Sequence, residues 1–187
     1  RSMLDTVEKG YELARRYFRI KAKVLGIDDF TNADIYAPLA ESDRKVSFEE
    51  AKGLVGRAYT RFDSALGGQV QAFFDDGRVD ADPVEGKRSG AFCYGADPKI
   101  DAYVMLNYTA DTRSVQTLAH ELGHGVHHQL SKRLNHTNFD TPLTTAETAS
   151  VFGEILLNEL LLEETDDPKE KLAVLGSQME GIIATVF

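Results

Sequence analysis

Leu118-Ala119-His120-Glu121-Leu122-Gly123-His124 is the stretch around which the rest of the chain is read. It fits the pattern H-E-x-x-H, which binds zinc in peptidases when it lies on a helix. On a helix, positions four apart share a face, so His120 and His124 can hold one ion between them. Glu121 falls about 100° further round, where it can take a proton from a water that zinc has made acidic. The flanking sequence predicts that helix. Asp111 or Thr112 offers an N-cap, and Val115, Leu118, Ala119, Leu122 and Val126 recur at helical spacing.

A catalytic zinc takes three protein ligands and keeps one position open for water. The pattern that supplies a third histidine from the same segment needs glycine at position 127 and histidine at 130, but His127 and Leu130 stand there. The third ligand is therefore expected from a carboxylate on the next helix. Glu147 lies in the first turns of that helix, and Glu154, seven residues on, shares its face to within about 20°. Glu154 could then brace a ligand histidine from behind. His136 and Asp140 are weaker candidates, because a loop holds a ligand less firmly.

Composition limits the alternatives. The chain has 187 residues, 42% hydrophobic and 27% charged, enough for one domain with a sizeable core. A net charge of -9 argues against tracking the phosphates of nucleic acid. Glu163, Glu164, Asp166 and Asp167 crowd one turn and read as a solvated loop. Cys93 is the only cysteine, which excludes an intrachain disulfide. The most apolar run, Ile155 to Leu162, is broken by Asn158 and Glu159 and is too short to span a membrane. No signal-like segment opens the sequence, so a cytoplasmic protein is expected. Arg1-Ser2-Met3 and the apolar end from Gly181 to Phe187 read as cut termini, so 1–187 is expected to be one catalytic-domain portion of a longer protein.

Before the central helix, Leu4, Val7, Tyr11, Ala14, Phe18 and Leu25 form one helical stripe, and Leu13, Tyr17, Ile20 and Val24 a second. Two stripes predict a helix packed on more than one side and stopped by Gly26. An irregular connection over Ile27–Val46 follows. Ser47-Phe48-Glu49-Glu50 is a capping box for a second long helix whose buried face is Phe48, Ala51, Val55, Ala58, Phe62 and Ala65, ending at Gly67-Gly68. A short helical piece is expected around Gln69 to Phe74. The period then changes: Ser89–Tyr94 and Ala102–Tyr108 are rich in aromatic and β-branched residues and read as paired antiparallel strands. A strand edge beside a metal site can pair with an extended peptide; the same hairpin could equally only cover the core.

After the central helix, Ser131 to Asp140 reads as a loop. Thr141-Pro142 opens a helix to about Leu162, and Asp167-Pro168-Lys169-Glu170 opens a last one with Leu172, Leu175, Met179, Ile182 and Ile183 on its apolar side. The fold class is mainly α with a small antiparallel sheet.

Several separate motifs, in order, resemble one family. The run from Thr117 to His128, the run from Ala146 to Glu154, the segment Gly86 to Cys93 and the opening helix from Arg16 to Gly26 are together similar to the oligoendopeptidase F branch of the thimet oligopeptidase family. The resemblance covers essentially the whole chain. It implies a helical zincin-type catalytic domain of a zinc endopeptidase that cleaves short oligopeptides; with the charge and the lack of a spanning segment, no nucleic-acid or membrane partner is expected. It implies His120, His124 and Glu147 as zinc ligands, Glu121 as general base and Glu154 as a supporting carboxylate. The strand containing Gly90, Ala91 and Phe92 would belong to the substrate-binding edge. The family's later His and Tyr residues, which hold substrate and stabilise the oxyanion, fall beyond Phe187; Tyr94, Tyr103 and Tyr108 have no positional match to them.

Two other readings share these residues. One is a different H-E-x-x-H hydrolase such as an aminopeptidase, which would prefer free N-termini. The other is a zinc-stabilised binding module without turnover, whose closed site would recruit His127 or His128 as a fourth ligand.

Overall fold

A computed structural model describes residues 2–40 and 44–186. The chain forms two compact units, residues 44–164, and residues 1–43 with 165–187.

The first of these holds helices α2 (Phe48–Phe62), α3 (Ser64–Asp75), α4 (Thr112–Ser131), α5 (His136–Phe139) and α6 (Leu143–Glu164). Its strands are β1 (Val79–Asp80), β2 (Phe92–Tyr94) and β3 (Tyr103–Met105). Ser47 caps α2 by accepting from the Glu50 N–H. The helix stops at Phe62, not at the glycines: Asp63 is extended, and its carboxylate accepts from the N–H groups of Ala65 and Leu66 to start α3. Gly67 and Gly68 therefore lie inside α3. A Cβ at Gly67 would meet the Thr60 Cα at 2.9 Å, so glycine lets α3 fold back closely on α2. Phe62 and Ala65, expected inside, face out, and Leu54 and Tyr59 are buried with Ala51, Val55 and Ala58.

The expected antiparallel pair is present, with Phe92 opposite Met105 and Tyr94 opposite Tyr103. A third strand, unforeseen, makes the sheet mixed: β1 pairs parallel to β3, in the order β1-β3-β2. Pairing begins only at Phe92, because Gly90 takes a positive φ of 84°. The lead-in loop is fastened by Lys87, whose ammonium donates to Asp80 and to the Asp82 carbonyl. Asn107 donates to the carbonyls of Arg88 and Gly90.

Asp111 caps α4, accepting from the Ser114 N–H. Leu118 and Leu122 are fully buried beneath this helix, and each contributes about 1.5–3 kcal/mol by leaving water. The segment expected as loop between α4 and α6 contains α5, capped by Asn135. Inside α6, Asn158 interrupts the apolar run but is buried, and its oxygen accepts from Gln116 of α4 at 2.8 Å. At the acidic turn, Glu163 and Glu164 pair with Arg61 and Arg57.

The other unit contains α1 (Ser2–Leu25) and α7 (Pro168–Val186), with a 3-10 turn at Asn32–Asp34 inside the connection expected to be irregular. Gly26 ends α1 with a φ of 68°, as expected. Of the second stripe of α1 only Tyr17 is packed: Leu13, Ile20 and Val24 are exposed, and Tyr17 joins Ala14 and Lys21 on the buried face. Lys21, wholly buried, donates to Glu180 of α7 and to the Ile35 carbonyl. On α7 the buried positions are Val174 and Gly176, with Leu39 against Gly176, while Leu175 and Ile182 stay exposed. Among the described residues, no helix is long and apolar enough to cross a membrane.

Candidate metal centre

The centre lies where α4 and α6 cross, and glycines set how closely they approach. A Cβ at Gly123 of α4 would stand 2.4 Å from the Ala149 carbonyl oxygen and 2.7 Å from the Ser150 Cα, both backbone atoms of α6. A Cβ at Gly153 of α6 would stand 2.6 Å from the Ala119 carbonyl oxygen and 2.0 Å from the Tyr59 hydroxyl. Tyr59 donates to that same carbonyl at 3.0 Å, tying α2 to the crossing. With the helices this close, side chains seven residues apart on α6 reach the histidine face of α4.

Glu147 Oε2 lies 3.2 Å from His120 Nε2 and 3.4 Å from His124 Nε2. The two imidazoles meet edge to face, with ring centres 4.9 Å apart. One donor atom from each of His120, His124 and Glu147 lies within 4.8 Å of the others, and this is the group among the described residues that could hold a metal ion. The outer nitrogen of His120 is engaged elsewhere. His120 Nδ1 lies 2.5 Å from Glu154 Oε1, and His124 is hydrogen-bonded to the Ala146 backbone. Both rings turn Nε2 toward the Glu147 carboxylate, and on His120 the opposite nitrogen fixes the orientation.

Electrostatics follow from burial and crowding. Burial works to lower the His120 pKa, but the hydrogen bond to Glu154 and the charges of Glu121, Glu154 and Glu147 outweigh it and raise it. His124 is lowered, chiefly by burial. Glu121, only 6% exposed, is pushed up to about 7 by burial, with His120 opposing and Glu147 adding to the rise.

Glu121 also lies against the sheet, beside the Cys93 backbone N–H, which works to lower its pKa. Pairing geometry makes this possible. Val104 directs its N–H to the Arg78 carbonyl on the β1 side. Its partner Cys93 therefore directs its own backbone groups away from β3, off the free edge of β2. The second carboxylate oxygen, Oε2, is buried without a hydrogen-bond partner among the described residues. Gly90 and Ala91 lead into this edge, and Phe92, its ring partly exposed, lies under the Arg88 guanidinium at 5.8 Å.

The remaining histidines turn elsewhere. His127 joins Tyr59, Leu66, Val126, Leu130 and Phe152 around an apolar groove of about 360 Å³. His128 packs on Phe139 with ring centres 4.3 Å apart, and its Nε2 occupies the space where a side chain at Gly95 would begin. His136 lies 3.6 Å from Asp97, and neither it nor Asp140 is in the donor group. Tyr94 and Tyr103 are exposed, whereas the Tyr108 hydroxyl is committed to the Val46 carbonyl. Sequence reasoning missed Gly123, Gly153, Tyr59, Ser150 and the Cys93 N–H. The small residues at 123, 150 and 153 were the only available signal.

Comparison with known proteins shows the family and the fold. The profile of peptidase family M3 matches residues 2–187. An oligoendopeptidase F homologue of Lactococcus lactis subsp. lactis is 32% identical over 186 residues, covering 99% of this chain and 31% of the relative. Oligopeptidase PepF of Bacillus subtilis is 30% identical over 191 residues, covering 100% of this chain and 28% of the relative. A crystal structure of a candidate peptidase from Chlamydophila abortus superposes with a TM-score of 0.85 at 33% identity, covering 98% of this chain and 31% of that one. The chain thus spans less than a third of the length of these relatives.

Proposed function

The chain belongs to peptidase family M3, and on that premise we propose that it carries the catalytic centre of a zinc endopeptidase hydrolysing internal bonds of short oligopeptides. The observation that carries the reading is the arrangement at the helix crossing. Glu147 Oε2 faces the Nε2 atoms of His120 and His124, with the buried carboxylate of Glu121 alongside.

The donor set fits zinc. Two imidazole nitrogens held by outer partners and one carboxylate oxygen match its preference for nitrogen and oxygen, and three protein ligands leave a coordination position open. When bound, zinc would polarise the scissile carbonyl and lower the pKa of a water. His120, His124 and Glu147 would hold it. Glu121 would accept a proton from the attacking water on Oε2 and pass it to the leaving amine. This carboxylate lies next to the β2 edge, where the strand containing Gly90, Ala91 and Phe92 would pair with an extended substrate through the backbone groups of Ala91, those of Phe92 being turned to Met105 of β3. Backbone pairing gives grip with little side-chain selectivity.

A closed, purely structural site finds no support, since His127 and His128 are turned to other neighbours. The test is Glu121→Gln, assayed for zinc content and for cleavage of a quenched fluorescent peptide. Zinc content is expected to stay at the wild-type level while turnover falls by about 10²–10⁴. Full turnover in this variant would overturn the assignment.

A further inference from the structure

We propose that Ser150 is a positioning residue for metal binding, its hydroxyl fixing the one carboxylate oxygen of Glu147 that faces His120 and His124. The inference rests on the reading of Glu147 as a zinc ligand.

The three donors are not equally constrained. The His120 and His124 side chains are 27% and 22% exposed, and their rings are anchored by Glu154 and the Ala146 backbone. The Glu147 side chain is 57% exposed and sits near the start of α6, where an unrestrained glutamate would sample many rotamers in water. What restrains it comes from its own helix. Ser150 Oγ donates to Glu147 Oε2 at 2.7 Å, and that oxygen is the atom lying 3.2 and 3.4 Å from the two imidazole nitrogens. A carboxylate oxygen has more than one acceptor site, so it can take the serine proton and still face a cation.

Ser150 itself cannot drift. It is 0% exposed and lies at the helix crossing, its Cα 2.7 Å from where a Cβ at Gly123 would stand. The hydroxyl has one proton and two acceptors within reach, Oε2 at 2.7 Å and the Glu147 carbonyl at 3.0 Å. Bonding back to a carbonyl one turn earlier is how an ordinary serine satisfies itself inside a helix. The shorter contact, to the charged oxygen, is the stronger one. A buried residue thereby transmits the fixed position of the crossing to an exposed ligand.

Ser150→Ala removes the hydroxyl and keeps the Cβ, leaving the crossing intact. Zinc affinity would be measured by competition with a chromophoric chelator for the full chain, Ser150→Ala, Glu147→Ala and the double variant. Unfolding midpoints of the metal-free proteins would be measured alongside. The expected result is about 10- to 100-fold weaker zinc binding in Ser150→Ala, with an unchanged metal-free midpoint. The effect should vanish when Glu147 is already alanine. Wild-type affinity in Ser150→Ala, or an equal loss in both backgrounds, would overturn the proposal while leaving Glu147 as a ligand. Wild-type affinity in Glu147→Ala would instead overturn the ligand assignment on which the proposal stands.

Discussion

Replacing Gly123 with alanine should weaken zinc binding without touching any donor atom. The added methyl would stand 2.4 Å from the Ala149 carbonyl oxygen, whereas ordinary contact begins at 3.4 Å. Its other close neighbours, the Ser150 Cα and the Ala149 carbonyl carbon, are also backbone, so no side-chain rotation relieves the clash. Helix α6 must withdraw by about 1 Å, taking Glu147 with it, and metal–ligand distances tolerate only about 0.2 Å. Overpacking of this kind costs about 1–3 kcal/mol, while alanine is the better helix former by ~1 kcal/mol. The metal-free chain should therefore lose up to ~2 kcal/mol, and zinc affinity should fall at least about 10-fold, or ~1.4 kcal/mol. Gly56→Ala is the control. Nothing lies within 4 Å of its added Cβ, so it should gain ~0.5–1 kcal/mol and bind zinc normally. Urea unfolding of the metal-free proteins and chelator competition read the two quantities. If Gly123→Ala were stabilised like Gly56→Ala and bound zinc as tightly as wild type, the close-crossing argument would be wrong.

Two further outcomes follow from the same contacts. Glu154→Ala should weaken zinc binding about 10- to 100-fold, with Glu154→Gln intermediate because it retains an acceptor for His120 Nδ1; zinc titration of both variants checks the order. Asp111→Ala should remove ~1 kcal/mol of stability by uncapping α4. That loss should depend on pH. Burial works to raise the Asp111 pKa, but the hydrogen bonds from Ser114 and Thr109 outweigh it and hold the pKa below its usual value. A depressed folded-state pKa gives stability that is full above the unfolded-state pKa and is lost as pH falls through the folded one. The wild type and Asp111→Ala should therefore converge in urea unfolding under strong acid and separate near neutrality; a gap independent of pH would refute the charged cap.

The grouping of residues at the candidate centre was largely legible in the sequence because they sit at spacings that a helix imposes. His120 and His124 share a face by their four-residue interval, and Glu147 and Glu154 by their seven-residue interval, so the orientation of each set needs no tertiary information. How near the two helices come did need it. Gly123 and Gly153 read as neutral interior glycines until the opposing carbonyls of Ala149 and Ala119 are placed. Glycine misled at Gly67-Gly68, read as a stop although the break is made by Asp63, whose side chain satisfies the next helix's N–H groups. Strand β1 is two residues long and shows no period at all. The second apolar stripe of α1 forecast packing that the structure shows only at Tyr17, because periodicity reports which residues share a face and not whether that face is covered.

The buried ion pair of Lys21 and Glu180 sets an order of events during synthesis. The two residues are 159 positions apart, and the pair joins α1 to α7. At about 5–20 residues per second, Lys21 leaves the ribosome roughly 8–30 s before its carboxylate exists. All of residues 44–164 emerge in that interval, so the unit holding the candidate metal centre can close while α1 still waits. An ammonium without its partner cannot be buried at acceptable cost, which keeps α1 hydrated until α7 arrives.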